Sequence, residues 1–573
     1  MSRRLPRLAQ AVLLVVLAPT PAAAAPPRDE LLRLAPPDAA IVALVQNARD
    51  HLRAVGGSPF AAWLPSTAFG KEVLGQANPK LIELALTPVL GPLGTSLDQL
   101  RDDVFGDAVG FAYSPAPAAD PTAERAVILI RPRKPEVLRR LVDRVNALQT
   151  ESKELISVAR KEHRGQEYWE RREAGGKTEY YAFRGPVFAF SGTEPDIRAV
   201  IDRDLDSPRD GTPALTTRLA KLGVADALAV VLVNPRPLDA ELAAKVAEAK
   251  PDERAFLRRF AELWAGLDAA AVYLSLGADA ELGLALDFRP DALPADARAW
   301  LTGPRPPSPL WAAVPDNAPA AATARFRASD LLAAVRSVLP DEGRAAVDKA
   351  LAEVIGPAFG RDRLPRVLDA LGPDWAAWVE PPAAGQGFLP VAVGVVKIGP
   401  VGPDAAGTEK AIRRAATFAA DAARFGYNMA HQDQIEVAEE ADGDGTITVL
   451  TGEKAFPPGV RPSFAFKGGY FVVASHPDTV RRFKAPDPTQ RAAGEAVLAR
   501  LSGPAARDYL RAHGAELAVF LAQHGHGTEK ELREQVESVA TFLELVERVE
   551  LVTAGTETGV RLALRAKLAE PLK

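Results

Sequence analysis

Few side chains in this sequence are grouped as catalysis or metal binding would require. The stretch "HGHGTEKE" brings His524, His526 and Glu529 close together, a spacing that could turn two imidazoles and a carboxylate toward a metal from an extended segment. There is no cysteine anywhere and no further histidine nearby, so the tetrahedral ligand set of a structural zinc site is incomplete. A loop ahead of a helix capped by Thr528 accounts for the same residues. "DGDG" at 442–445 begins like a calcium loop, but the later acidic ligands are missing. Its place between two strand-like runs makes it a hairpin turn.

Two further clusters have structural readings. "RPRKPEVLRR", from Arg131 to Arg140, could attract an anion. A strand end followed by the solvated face of a helix explains it equally, with Glu136 and Asp143 diluting the charge. Trp375 and Trp378 in "PDWAAWVE" could stack on a sugar ring. In a strand, residues three apart point to opposite faces, which puts one tryptophan in the core and the other at the surface. The nucleophile-elbow, Ser-x-x-Lys, His-Glu-x-x-His and glycine-rich phosphate motifs do not occur. The catalytic residues are therefore unknown, and neither a metal nor a cofactor is expected.

The elements that would carry such residues recur in order along the chain, as in repeat architectures. "APPDAAIVALV" from Ala35 is followed much later by "AVPDNAPAAATARF" from Ala313. "LDQLRDDVFGDAVGFAYSP" from Leu97 is echoed by "LPRVLDALGPDWAAWVEPP" from Leu364, each a short helix, a turn and a strand. The strand "AVILIRPR" feeds a helix near Pro135, and "VAVGVVKIG" feeds one near Thr408. In the first helix Val137, Leu138, Leu141, Val142, Val145 and Leu148 fall at the three- and four-residue steps of one buried face. "YYAFRGPVFAFSGTEPD" (180–196) then matches "SFAFKGGYFVVASHPD" (463–478). Each predicts a strand, a glycine turn, a second strand and a Pro-Asp helix start, with Phe188 and Phe471 entering the core. A glycine-bearing hairpin closes each half, from Ala269 and from Val549.

The expected fold class is α+β, with two tandem similar domains, each a mainly antiparallel sheet with helices packed on one face. The boundaries read as a signal peptide at 1–25, a first repeat at 29–290, a proline-rich linker at 291–310 and a second repeat at 311–573.

Arg3, Arg4 and Arg7 precede the apolar run "AVLLVVLA" and a small-residue stretch ending at Ala25, the three-part pattern of a cleavable secretory signal. No later apolar run reaches membrane-spanning length. The expectation is a periplasmic or secreted protein with no transmembrane segment after cleavage near Ala25. The formal charge of −5, spread over a large surface, argues against nucleic acid as a partner.

"PPDAAIVALV", "VFGDAVGFAY", "AVILIRPRKPEVLRRLVDRVN" and "YYAFRGPVFAFSGTEPDIRAVIDR" together resemble the exported bacterial family of domain of unknown function 3352. The resemblance implies an envelope or secreted protein and brings no catalytic residue with it. The expected role is that of a non-catalytic envelope protein, binding or structural, with a protein or envelope polymer as partner. The alternative is an exported hydrolase acting on envelope polymer or carbohydrate through carboxylates that the sequence does not single out.

Overall fold

Among the described residues, runs of β-branched and aromatic residues separated by glycine-bearing turns build twenty strands, and all of them join one antiparallel sheet. A computed structural model describes residues 26–569 except 64, 66–86, 88–89, 117–123, 209–210, 278, 360–362, 400–404, 444 and 488–494. The expected leader at 1–25 lies outside the described residues.

The first half supplies β1 (Ile41–Gln46), β2 (Ala108–Ser114), β3 (Arg125–Arg131), β4 (Leu155–His163) and β5 (Gln166–Glu173). It continues with β6 (Thr178–Arg184), β7 (Val187–Ser191), β8 (Ala229–Val233), β9 (Leu267–Leu276) and β10 (Asp279–Phe288). The second half supplies β11 (Ala320–Arg325), β12 (Leu371–Glu380), β13 (Val391–Ile398), β14 (Glu436–Asp442) and β15 (Gly445–Thr451). Its last five are β16 (Ser463–Lys467), β17 (Tyr470–Ala474), β18 (Ala496–Ser502), β19 (Val546–Gly555) and β20 (Gly559–Leu568).

Pairing in the first half runs β4-β5-β6-β7-β3-β2-β1-β8-β9-β10. In the second it runs β14-β15-β16-β17-β13-β12-β11-β18-β19-β20, the same order in the same sense of connection. The two runs meet where β10 pairs with β20. At the middle of that seam Gly283 faces Ala563, Leu282 faces Leu564 and Leu284 faces Leu562, so exchanging the halves maps the pairing onto itself. The fold is α+β with a mainly antiparallel sheet that continues across both halves.

Helices cover one face along the middle of each half. Val42, Leu44, Val127, Leu129, Val230 and Leu232 pack beneath α1 (Pro27–Leu32), α3 (Glu194–Asp206) and α4 (Ala214–Lys221). Beneath α8 (Pro477–Arg482), together with Leu310 and Val314, lie Trp378, Val393, Val395 and Val472. Toward the wings the opposite face is also covered. There α2 (Pro135–Glu151) sets Val137 and Leu138 against Tyr181 and Phe188, and α7 (Ala405–Ala430) sets Ala411 and Ile412 against Phe466. Pro135 occupies the first turn of α2, where its missing N–H costs no hydrogen bond. Helix α7 starts at Ala405, before the anticipated Thr408 cap.

In the repeated motif, Phe183 lies opposite Phe188 and Phe466 lies opposite Phe471. The tight turns between them need positive φ, supplied by Gly185 at 56° and by Gly468 and Gly469 at 56° and 77°. Within the proline-rich residues 291–310, α5 (Ala295–Leu301) packs Ala297 and Leu301, with Leu293, against Leu267 and Phe288.

Candidate functional site

An antiparallel sheet with one face in water ordinarily alternates apolar and polar residues. Here the central strands are apolar on both faces. The uncovered face carries Phe111, Ile128, Val231, Val272, Leu282, Leu284, Leu562 and Leu564, each more than a third exposed. Strand register joins them into a row: Ile128 faces Phe111, Val231 faces Val272, Val272 faces Leu284, and Leu284 faces Leu562. Exposed apolar patches on this scale mark binding surfaces.

In the second half the row sinks into a shallow, open groove of about 540 Å³, bordered by Ala320, Ala322, Ala377, Val379, Ala392, Ala499, Leu501, Val549, Leu551 and Leu564. Its depth follows from register. Ala43 of β1 pairs with Phe111 and Val231, whereas its counterpart Ala322 of β11 pairs with Ala377 and Ala499. Ala320 likewise stands where the first half has Ile41: it pairs with Val379 and Leu501, as Ile41 pairs with Tyr113 and Val233. Small residues on three adjacent strands leave the space that larger ones fill in the first half.

The covered face of the seam holds the second candidate, a polar cavity of about 660 Å³ lined by Asp226, Tyr273, Ser275, Asp279, Glu281, Arg561 and Arg565 among others. Tyr273 lies flat across Gly283, where an added Cβ would fall 2.4 Å from the ring. The Tyr273 hydroxyl donates to Glu281 at 2.5 Å, and Arg565 reaches Glu281 at 2.9 Å and Glu495 at 2.8 Å. Arg561 also donates to Glu495. Burial, and then the hydrogen bond to Glu281, push the Tyr273 phenol well above its ordinary value. Burial alone would raise Glu495, but the hydrogen bonds from Arg565 and Arg561 outweigh it and hold the carboxyl below its usual range. A carboxylate held ionised between two guanidinium groups has no proton to donate. The cluster binds the two halves together across the seam, since Glu281 belongs to β10 and Arg565 to β20.

Of the residues singled out in the sequence, Trp378 borders the groove and the others lie elsewhere. His524, His526 and Glu529 fall at the junction of α9 (Gly503–Gln523) and α10 (Glu529–Phe542). His524 Nδ1 lies 2.7 Å from the Phe520 carbonyl, Glu529 pairs with Arg533 at 2.7 Å, and Thr528 caps α10 in a reciprocal box with Glu531. Among the described residues no group of three or more His, Asp or Glu is arranged to hold a metal. "DGDG" turns between β14 and β15, with Gly443 at φ 60° and Asp442 paired to Lys467 at 2.8 Å. In the basic string, Arg131 is paired with Glu30 and Asp107, and Lys134 with Asp103. Trp378 is buried and Trp375 half-buried on opposite faces of β12, the latter stacked on Phe326 with ring centroids 5.3 Å apart.

Neither cavity is flagged by a motif. The apolar row of the first half has a sequence signal all the same: "IVALV", "AVILI" and "AVVLV" have no polar alternation, which in an antiparallel sheet means two apolar faces. Comparison with known proteins finds no matching family profile, no similar curated protein and no similar solved structure. Among the described residues no helix is long and apolar enough to cross a membrane.

Proposed function

We propose that this chain is an exported, non-catalytic binding protein, built by internal duplication, which holds an apolar ligand such as a hydrocarbon chain on the open face of its sheet. The observation that carries the reading is the alanine-floored groove of about 540 Å³ opening onto a continuous apolar row. A concave, mostly apolar surface of this size suits a small hydrophobic molecule. The signal-like N-terminus supports export to the periplasm or beyond, and the matching strand order of the two halves supports duplication. The resemblance to the domain-of-unknown-function family agrees with an envelope protein. The hydrolase alternative gains no support from the polar cavity, whose Glu281 and Glu495 are committed to Arg565 and Arg561.

The test converts the groove to the first-half pattern with Ala377→Phe and Ala499→Val together. Titrating a fluorescent long-chain fatty acid into wild-type protein is expected to give saturable binding, weakened roughly tenfold or more in the variant, about 1.4 kcal/mol or greater. Phe111 and Val231 occupy the equivalent positions in the first half, so stability should hold. Equal binding by both proteins, or no saturable binding by either, would refute the reading.

A further inference from the structure

Helix α7 differs from its first-half counterpart α2 in length and in what it shows to water. It has 26 residues against 17. The outward face of α2 is polar, with Glu136, Arg139, Arg140, Asp143 and Arg144 exposed. On α7, Phe418 is 62 % exposed, Phe425 67 % and Met429 74 %. Their spacing of seven and four residues keeps them on one line of the helix, spanning about 16 Å. The opposite side of this same stretch is already used, because Ala420 and Tyr427 pack with Ile435 and Leu450. The stripe is thus a second apolar face with nothing packed on it among the described residues.

Positive charge gathers at the other end of the helix. Arg414 lies one turn before Phe418, with Lys410 a turn before that, and both are exposed. Arg413 pairs with Glu409 at 3.3 Å, and Arg424 with Asp421 at 3.1 Å. Arg363 and Arg366, exposed at the start of α6 (Leu364–Ala370), adjoin this end, where Arg363 reaches the Gly407 carbonyl at 3.5 Å. Among the described residues at this end, Arg363, Arg366, Lys410, Arg413 and Arg414 outnumber Glu409 and Asp369.

We infer that α7 is the element by which this protein docks on an anionic lipid surface, with Phe418, Phe425 and Met429 entering the headgroup boundary and the basic end meeting lipid phosphates. An amphipathic helix lying in the interface combines buried apolar area with attraction to anionic lipid. The charge asymmetry selects this occupant over a neutral apolar partner. The docking surface stands on α7 and the adjoining start of α6 and does not depend on what fills the groove.

Full-length mature protein is floated with phosphatidylcholine vesicles, with and without phosphatidylglycerol. The expected result is binding that requires phosphatidylglycerol and falls with salt, because exposed charges are screened within about 10 Å at ordinary ionic strength. Phe418→Ser, Phe425→Ser and Met429→Ser combined should weaken it roughly tenfold or more. Lys410→Glu with Arg414→Glu should do the same, while Arg140→Glu with Arg144→Glu on α2 should leave it unchanged. Flotation of the triple variant at the wild-type level would overturn the inference. So would a wild-type dimer that becomes monomeric in the triple variant without any vesicle binding, because the stripe would then seat a second copy. Uptake of soluble fatty acid, measured without vesicles, should be the same in the triple variant, so failure of the groove reading and failure of the docking surface are read separately.

Discussion

Phe188 and Phe471 occupy the same place in the repeated strand-turn-strand motif, but the structure gives them different surroundings and hence different energetic weight. Phe188 is 7 % exposed, with ring centroids 5.1 Å from Phe183 and 5.8 Å from Tyr181, beneath Val137 and Leu138 of α2. Truncation to alanine removes on the order of 150 Å² of buried ring surface, which at about 25 cal/mol per Å² is ~4 kcal/mol. The cavity left under a helix that cannot fully collapse keeps the total within roughly 3–5 kcal/mol. Phe471 is only half-buried, packed on Phe464 and Phe466 at 5.8 and 5.0 Å. Its truncation should cost about half as much, ~2 kcal/mol, on the same area argument. Urea unfolding followed by circular dichroism measures both, provided the slope stays at the wild-type value. A loss below about 1 kcal/mol for Phe188→Ala, the size of an ordinary surface change, would refute its place in the core. A larger loss for Phe471→Ala than for Phe188→Ala would refute the assigned difference between the halves.

Two further outcomes follow from the seam and from α8. Gly283→Ala should destabilise by about 1–3 kcal/mol through overpacking, since the new Cβ displaces the Tyr273 ring. The same change should bring the Tyr273 phenol back toward its ordinary value, read by ultraviolet absorbance at alkaline pH; an unaltered tyrosine titration would contradict the contact. His476, whose Nδ1 accepts from the Asp478 N–H at the start of α8, has its pKa lowered from 6.5, first by burial and then by Arg461, Arg481 and Arg482 against Asp478. The unfolded chain therefore binds a proton that the folded chain refuses, so stability should fall as pH drops below 6.5 toward the lower folded value. His476→Asn keeps a cap and should flatten that part of the curve; an identical pH dependence in the variant would sink the assignment.

Local chemistry made much of this fold legible. The hairpins around Gly185 and Gly468-Gly469 and the helix starts at Pro135 and Pro477 are written in neighbouring residues, because turn geometry and capping act over a few positions. Seam pairing is different in kind: nothing in β10 records that its free edge meets β20 rather than solvent, since both strands offer the same unpaired backbone groups. Tyr273, Glu281, Arg561 and Arg565 converge only through that register, which is why no motif announces them. Helix α7 misleads for a related reason. Periodicity assigns an apolar stripe to the core, but this helix carries two, and Ala420 and Tyr427 rather than Phe418, Phe425 and Met429 face inward.

Strand pairing constrains the backbone, and there the halves agree. The uncovered face and its bordering helices are free of that constraint, and there they part. Alanines at 377 and 499 replace the pattern of Phe111 and Val231, and α7 outgrows α2; the covered face differs too at the seam, where Val552 stands in place of the Tyr273 of β9. The shared strand order needs none of these differences, because the first half has the same order without them. They lie on the uncovered face, on an exposed helix, or at the seam that joins the halves. Two arrangements of one sheet thus lie side by side, the first half filled by larger side chains and the second hollowed beside an exposed amphipathic helix.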